Sequence, residues 1–478
     1  MCGIFGIYLK NENTDAYNYI LNGLSVLQHR GQDSAGICTY KNNKFFFHKN
    51  NGKVNEVFNS GHIEKLLEGN IGLGHVRYST LSSLNVDLCQ PFYVNMPFGL
   101  SLCHNGNIVN TEELSSILIN EHIHNNTNSD SQLLLHLFAL NLSKYINTDH
   151  YVSNENKINH TTFFEIVSQL YKIIKGSYSI LLLINGYGML AFKDPYGIRP
   201  LCFGKSEEGN DFIISSESVA IKYNDFYLER EINAGECIFI DKNGQFFSHQ
   251  IINKPSLRPC LFEYIYFSRP DSIINGILVY QARKNMGEIL GFKIINYYSE
   301  ILKEIDVVMP VPDTARIAAL KVSYILNKPY CEGFVKNNYV GRTFIMPSQK
   351  ERKQNIKMKL NTIDEKFLNK NVLIVDDSIV RGNTSIQIIQ LARKAGAKKI
   401  FLASIAPPIY FPNYYGISIP TSEELIAYNK SYKEISDKIG ADLVIYNDLN
   451  DVINICCKTS NNYIQMFETS CFDGKYIM

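Results

Sequence analysis

Residues 372–385, VLIVDDSIVRGNTS, constrain the fold of this chain more than any other stretch. The first four are β-branched or aliphatic without interruption, which is the pattern of a parallel strand covered on both faces. Asp376 and Asp377 follow at its carboxyl end, and the small-residue turn after them leads into an apolar helical stripe. Because open α/β sheets bind ligands at the carboxyl ends of their strands, we expect a ligand site here.

The turn after the paired aspartates is a candidate phosphate site, because free backbone N–H groups and the helix dipole favour an anion at a helix N-terminus. No Lys follows Gly382, so the turn does not match the phosphate loop of nucleoside triphosphatases. Carboxylates beside the turn suit the hydroxyls of a phosphorylated sugar. The structural alternative is that Asp-Asp-Ser only caps the helix and Gly-Asn only forms a turn. The residues concerned are Asp376, Asp377, Ser378, Arg381, Gly382, Asn383, Thr384 and Ser385.

The composition indicates a globular protein of roughly two to four domains. Its 478 residues are 45% hydrophobic, and a formal net charge of +1 provides no bulk field for nucleic acid or anionic lipid. We therefore expect small-molecule partners, with no nucleic acid and no membrane. Eleven Cys without a C-x-x-C pair do not indicate a disulfide framework or a zinc ribbon. With no signal-peptide pattern and no apolar run of membrane length, we expect a cytoplasmic location.

The pattern of hydrophobic residues changes near residue 250. Before that point, a few helices interrupt a series of short strands. Past Pro255, strands and longer helices alternate, which predicts a mainly parallel sheet that includes residues 330–335. The basic segment 336–360 lacks apolar periodicity and suits a mobile loop. We therefore expect two domains, residues 2–250 and residues 251–478.

Cys2 is a candidate nucleophile. When Met1 is removed, the thiol of Cys2 lies beside a free α-amine, which can serve as its general base. The alternative is that a Cys at the start of a strand is only a small buried hydrophobe. Residue 2 alone does not decide between the two.

Three further segments favour a site for glutamine. Arg77 at a strand end suits a carboxylate, which its planar guanidinium can bind through two hydrogen bonds. Asn105 and Gly106 offer a side-chain amide and a backbone N–H, the donors that an oxyanion hole uses. Asp130 at a predicted helix start suits an α-ammonium group. Each also has a structural alternative, namely a surface salt bridge, a hairpin turn and a helix cap.

Eight motifs in this order resemble the glutamine phosphoribosylpyrophosphate amidotransferases, the first committed enzymes of purine synthesis. They are CGIFGIY, LQHRGQDSAGI, GHVRYST, HNGNIVN, DPYGIRPL, FEYIYFSRPDS, YVGRTFI and VDDSIVRGNTS. The resemblance covers nearly the whole chain. It implies an α+β N-terminal-nucleophile glutaminase domain, an αββα sandwich, followed by an α/β type I phosphoribosyltransferase domain.

The resemblance also implies roles for residues of the first domain. Cys2 would attack the glutamine amide, and Asn105 and Gly106 would stabilise the oxyanion. Arg77 and Asp130 would hold the carboxylate and the amine of glutamine.

In the second domain, the resemblance implies that the turn from Arg381 to Ser385 binds the 5-phosphate, while the carboxylates of Asp376 and Asp377 bind the ribose hydroxyls. One Mg²⁺ per subunit is expected, near Thr314 and both aspartates, because hard oxygen ligands suit it. The residues that match the closing loop of the family are Lys336, Tyr339 and Arg342.

The chain departs from the family pattern at several positions. One branch carries an iron-sulphur cluster on four cysteines. Cys260 occupies one such position, but Asn413 stands at a second, and the ending FETSCFDGKYIM lacks a closely spaced pair, so we predict no cluster. Asn383 replaces a more usual Thr in the phosphate turn, and Asn338 replaces a more usual Arg in the closing loop.

Two other functions remain open at this stage. The chain could be a catalytically silent sensor of phosphoribosylpyrophosphate or nucleotides, or a glutaminase that serves another acceptor. From the family we also expect purine nucleotides as feedback inhibitors and a homo-oligomer, a dimer or a tetramer.

Overall fold

The computed structural model describes residues 2–78, 85–147, 158–337, 360–419, 421–461 and 463–477. Tyr339 and Arg342, predicted for the closing loop, and Asn338 lie outside these residues. Among the described residues, no helix is both long enough and apolar enough to cross a bilayer.

Short apolar strands form two antiparallel sheets in the first half of the chain. The strands are β1 (Gly3–Tyr8), β2 (Ser34–Lys41), β3 (Lys44–Asn51), β4 (Ile71–Arg77), β5 (Phe92–Val94), β6 (Leu100–Ile108), β7 (Gly176–Ile184), β8 (Gly188–Lys193), β9 (Cys202–Lys205), β10 (Phe212–Ser215), β11 (Tyr227–Glu231), β12 (Glu236–Asp241) and β13 (Phe246–Gln250). A seven-stranded sheet has the order β11-β9-β10-β1-β4-β2-β3, and a six-stranded sheet has the order β13-β12-β8-β7-β6-β5.

The two sheets pack face to face, and helices cover their outer faces. These helices are α1 (Tyr17–Val26), α2 (Val54–Val57), α3 (Gly61–Leu66), α4 (Thr111–Asn120), α5 (Asp130–Asn147), α6 (His160–Ile173) and α7 (Ser218–Tyr223). Side chains of α1, α2, α3 and α7 share a core with the seven-stranded sheet, and those of α4, α5 and α6 share one with the six-stranded sheet. A third core lies between the sheets, where Leu73 and Met189 are fully buried. The predicted αββα sandwich is therefore confirmed.

A parallel sheet forms the centre of the second half. Its remaining elements, in chain order, are β14 (Ile273–Ile274), β15 (Ile277–Leu278), α8 (Val279–Tyr297), α9 (Ser299–Glu304), β16 (Val307–Pro310), α10 (Arg316–Leu326), β17 (Phe334–Lys336), β18 (Leu360–Thr362), β19 (Asn371–Asp376), α11 (Asn383–Lys394), β20 (Lys399–Ser404), α12 (Tyr432–Ile439), β21 (Leu443–Tyr446), α13 (Leu449–Thr459) and α14 (Ser470–Asp473). The sheet order is β16-β19-β20-β21, and every pair is parallel.

Alternate residues of the central strand β19 enter two different cores. Leu373 and Val375 pack with α8, α10 and α13, whereas Val372 and Ile374 pack with α11 and α12. The continuous apolar run therefore corresponds to a strand covered on both faces, as predicted. The structure differs from the prediction at residues 330–335, where we expected a strand of the parallel sheet. Tyr330 makes only an isolated bridge to Val308, and β17 instead pairs antiparallel with β18.

Candidate functional site

Cys2 lies at the entrance to β1, between the two sheets of the sandwich. Its main-chain nitrogen donates to Oδ1 of Asn105 at 3.1 Å, and its carbonyl oxygen accepts from Nε of Arg30 at 3.0 Å. Asn105 is fully buried on β6, and its Nδ2 has no hydrogen-bond partner in the described part of the chain. An unpaired buried donor beside a thiol is what an oxyanion hole requires.

Strand register brings the predicted glutamine-binding residues to the same edge. Gly3 pairs with Val76, so Arg77 at the end of β4 lies opposite Cys2. Asp130 is the first residue of α5, and its Oδ2 accepts from the main-chain nitrogen of Ile108 on β6 at 3.1 Å. The structure therefore brings the five predicted residues of the glutaminase together: Cys2, Arg77, Asn105, Gly106 and Asp130.

Arg30 was not singled out from the sequence, although its side chain contacts Cys2 in the structure. Its guanidinium is completely buried and donates to Glu217 at 2.6 Å and to both carboxylate oxygens of Glu263, at 2.8 and 3.1 Å. Burial favours a raised pKa for Glu263, but the charge and hydrogen bonds of Arg30 outweigh it and hold that pKa below its usual value. Arg30 lies in LQHRGQDSAGI and Glu263 in FEYIYFSRPDS, so the motifs contained the signal although not the pairing.

The paired aspartates lie at the carboxyl end of β19, as predicted. Asp376 is buried and accepts at Oδ1 from the main-chain nitrogen of Asp377 at 2.9 Å. Asp377 accepts at Oδ1 from the hydroxyl of Ser378 at 2.8 Å, and also from the side chain of Thr314. Burial raises the pKa of Asp377 to about 6, and burial together with the neighbouring Asp377 raises the pKa of Asp376.

Two adjacent buried carboxylates repel one another when both are ionised, and a bound cation would relieve this repulsion. Among the described residues, no group of three or more His, Cys, Asp or Glu side chains forms a metal cage. Mg²⁺ does not require one, because it usually takes one or two protein carboxylates and completes its shell with water and substrate phosphates. Thr314, Asp376 and Asp377 therefore fit Mg²⁺.

The predicted phosphate turn is the N-terminus of α11. Gly382 precedes the helix with a φ of +82°, and a Cβ there would lie 2.3 Å from Cδ1 of Ile426, so only glycine fits. Asn383 and Thr384 are exposed in the first helical turn, while Ser385 is buried. The first N–H groups of this helix have no intrahelical acceptor and are available to an anion.

Arg381 and Lys336 each form an ion pair with a neighbouring carboxylate. The Nε atom of Arg381 lies 3.0 Å from Oε2 of Glu424, an exposed ion pair that is weak enough for a phosphate to displace. Lys336, at the end of β17, donates to Oδ2 of Asp313 at 2.7 Å and so lies beside the loop that carries Thr314.

The two halves meet at β6, which carries the proposed oxyanion donors Asn105 and Gly106 and which we call the oxyanion strand. A Cβ on Gly416 would lie 3.1 Å from the main chain of Gly106. Next to this contact, Nδ2 of Asn107 donates to the carbonyl oxygen of Tyr414 at 2.9 Å. A cleft of about 580 Å³ opens here, and its lining includes Asn107 and Arg381. The oxyanion strand and the phosphate turn therefore border the same cleft.

Asn413 and Cys260, which stand at two cluster positions of the family, both contact Glu468. Nδ2 of Asn413 donates to Oε2 of Glu468 at 3.4 Å, and Cys260 forms a bridge with Glu468. Burial raises the pKa of Cys260 to about 12 and the pKa of Cys471 well above its usual value. The absence of an iron-sulphur cluster stays a prediction.

Comparison with known proteins agrees with this geometry. Residues 75–223 match the glutamine amidotransferase domain family, and residues 279–410 match the phosphoribosyl transferase domain family. The fold and the two sites thus define a glutamine amidotransferase joined to a phosphoribosyltransferase. The amidophosphoribosyltransferase of Escherichia coli K12 is 48% identical over 483 residues, covering 100% of this chain and 92% of the relative. The chain belongs to the amidophosphoribosyltransferase family.

Other relatives and solved structures support the same assignment. The amidophosphoribosyltransferases of Pasteurella multocida and Saccharomyces cerevisiae are 47% and 44% identical, each over 100% of this chain and respectively over 93% and 92% of the relative. The glutamine phosphoribosylpyrophosphate amidotransferase of B. subtilis, solved with ADP and GMP, superimposes with a TM-score of 0.85 at 35% identity, covering 100% of this chain and 97% of that one.

Proposed function

We propose that the chain releases ammonia from glutamine in its first half and transfers it to phosphoribosylpyrophosphate in its second. The products are 5-phosphoribosylamine, pyrophosphate and glutamate, and the reaction is the first step of de novo purine synthesis. The observation that carries the coupling of the two halves is the cleft bordered by both Asn107 and Arg381. Ammonia that crosses such a cleft avoids protonation to unreactive ammonium in bulk water.

In the glutaminase half-reaction, the thiolate of Cys2 attacks the side-chain amide carbonyl, and the free α-amine accepts the thiol proton and passes it to the departing ammonia. Nδ2 of Asn105 and the N–H of Gly106 stabilise the tetrahedral oxyanion. Arg77 and Asp130 hold the carboxylate and ammonium groups of the substrate. Water then hydrolyses the thioester to glutamate.

In the transferase half-reaction, ammonia attacks C1 of the ribose and the bond to pyrophosphate breaks. Asp376 and Asp377 accept hydrogen bonds from the ribose hydroxyls, and the turn of residues 381–385 binds the 5-phosphate. Thr314, Asp376 and Asp377 would hold one Mg²⁺ per subunit, which would neutralise charge on the departing pyrophosphate. By the family resemblance, Lys336, Tyr339 and Arg342 would exclude water from the bound substrate.

The domain boundary and the biological setting belong to the same proposal. The first domain spans residues 2–250 and the second spans residues 251–478, a division that the end of β13 at Gln250 supports. The B. subtilis relative was solved with ADP and GMP, and we propose that purine nucleotides bind this chain and act as feedback inhibitors. We also expect a cytoplasmic dimer or tetramer without an iron-sulphur cluster.

One assay separates this function from its alternatives. Glutamate release is measured with and without phosphoribosylpyrophosphate, together with pyrophosphate release, in the presence of Mg²⁺. We expect both products in equal amounts when all substrates are present. Absence of turnover would support the silent sensor, and glutamate release that ignores the sugar phosphate would support a glutaminase with another acceptor. Elemental analysis that found iron and sulphide would overturn the cluster-free prediction.

A further inference from the structure

We propose that His104 is a positioning residue that holds the carboxylate of Asp130 in fixed register with the oxyanion donors. His104 immediately precedes Asn105 and Gly106 on β6 and is almost completely buried. The inference rests on the proposed glutamine site, in which Asp130 binds the α-ammonium group. It assigns a function to a buried cluster that makes no direct contact with the proposed reaction.

The cluster consists of three buried side chains from separate segments, namely Gln90, His104 and Ser131. The main-chain nitrogen of His104 donates to Oε1 of Gln90 at 2.7 Å, and Nε2 of Gln90 donates to Oγ of Ser131 at 3.0 Å. Oγ of Ser131 lies 2.9 Å from Nδ1 of His104. The three side chains thus form a closed hydrogen-bonded ring.

Ser131 links His104 to the carboxylate of Asp130. Oγ of Ser131 lies 2.9 Å from Nδ1 of His104 and donates to Oδ1 of Asp130 at 3.2 Å. Nδ1 of His104 also lies 3.7 Å from Oδ2 of Asp130. Burial holds the pKa of His104 below its usual value, although the charge of Asp130 opposes this.

The second oxygen of Asp130 is fixed by the same strand. Oδ2 accepts from the main-chain nitrogen of Ile108, so one carboxylate oxygen is bound directly to β6 and the other through Ser131 and His104. The ring of His104 also packs against the oxyanion glycine, because a Cβ on Gly106 would lie 2.7 Å from Nε2. Asp130 otherwise stands at the first residue of a helix, where its side chain would be free to rotate.

The experiment uses the full-length enzyme and two readouts of glutamine binding. Steady-state glutaminase kinetics give KM and kcat separately. Protection of Cys2 from iodoacetamide by glutamine, followed by mass spectrometry of its peptide, gives a half-protecting glutamine concentration as a second readout. Ammonia-dependent synthesis of phosphoribosylamine reports on the transferase half and on folding.

For Ser131→Ala we expect KM and the half-protecting glutamine concentration to rise about tenfold or more, with kcat changed by less than about threefold. Ammonia-dependent activity should stay within about twofold of the wild-type value. His104→Ala should behave alike, and His104→Asn should recover most of the affinity because its side-chain amide can form a hydrogen bond with Ser131 in place of Nδ1. Ser116→Ala, an exposed helical serine, is the matched control and should change nothing.

A fall in kcat at unchanged KM would overturn the proposal, and so would loss of ammonia-dependent activity in Ser131→Ala, because a defect confined to the glutamine subsite cannot cause either. An Asn variant no better than the Ala variant would remove the hydrogen bond as the cause. If the wild-type enzyme itself released no glutamate, the proposed function would fail, which is a different result from failure of the positioning role.

Discussion

Arg30 donates from Nε to the main-chain carbonyl of Cys2 at 3.0 Å, so a fully buried guanidinium sets the position of the proposed nucleophile. The carboxylates that fix Arg30 come from both halves of the chain, since Glu217 precedes residue 250 and Glu263 follows it. The alignment of the thiol in the first half therefore depends on a side chain of the second.

Replacing Glu263 should impair the glutaminase although it lies outside the first domain. In Glu263→Gln, the buried Arg30 and Arg199 each lose a charged partner, which costs about 3 kcal/mol in comparable buried pairs. We expect a lower urea midpoint and a marked loss of glutamate release. Glu300→Gln removes one member of an exposed pair with Lys303 and should shift stability by less than about 1 kcal/mol. Equal effects of the two variants would contradict the role of burial.

Removing the thiol should separate the two half-reactions. Cys2→Ala should abolish glutamine-dependent synthesis, because no nucleophile remains, yet retain synthesis from high concentrations of free ammonia. Phosphoribosylamine formation with each nitrogen source measures the two activities. Cys457→Ala, at another partly exposed cysteine, serves as the control and should retain both. Loss of both activities in Cys2→Ala would show that the half-reactions are not separable.

Neutralising Asp377 should have the opposite effect. Asp377→Asn removes a carboxylate from the ribose and metal site, and we expect ammonia-dependent synthesis to fall about 100-fold or more. Glutamate release without phosphoribosylpyrophosphate should persist, because Asp377 lies in the other half. Asp364→Asn, at an exposed position, controls for loss of charge. An unchanged transfer rate would exclude Asp377 from the site.

The contact between Gly106 and Gly416 can be tested by adding one methyl group. Gly416 has a φ of +96°, and a Cβ there would crowd the main chain of Gly106 at 3.1 Å. Gly276 has a φ of +77° but open space around it, so Gly276→Ala carries the conformational cost, on the order of 1 kcal/mol, without the clash. We expect only Gly416→Ala to lower glutaminase kcat. Similar kinetics for both variants would mean that the contact does not affect the oxyanion hole.

His75 makes folding stability depend on pH. Burial and the nearby charge of Arg77 lower the pKa of His75 to about 3 in the folded state, whereas the unfolded value is roughly 6.5. The unfolded chain therefore binds the extra proton between these values, and stability should fall by up to about 1.4 kcal/mol for each unit as pH drops below 6.5. His75→Gln should flatten this dependence in melting experiments from pH 7 to pH 5. His62→Gln, at an exposed histidine, should retain the slope of the wild type.

Local sequence patterns predicted those parts of the site that local chemistry determines. The buried run before Asp376 and Asp377 predicted both the strand and its ligand edge, and Gly382 occupies the turn that its positive φ demands. The strand expected at residues 330–335 was wrong. Apolar periodicity does not report where a chain leaves a sheet, and here β17 turns away to pair with β18.

The buried ion network was not predicted because its members lie far apart in the chain. Arg30 is 187 residues from Glu217 and 233 residues from Glu263. Arg and Glu are usually surface residues, so the sequence alone does not indicate that these three are buried. Their pairing follows only from the packing of the two halves. The ring of Gln90, His104 and Ser131 was missed because its members come from three separate segments that only the fold brings together.

The packing of Gly416 against Gly106 has a consequence for the synthesis of the protein. Ribosomes deliver the oxyanion strand about 300 residues before the segment that packs on it, so a nascent or truncated chain carries Cys2 and Asn105 without their final support. We therefore expect a chain truncated before residue 414 to lack these contacts and to release less glutamate than the full-length protein.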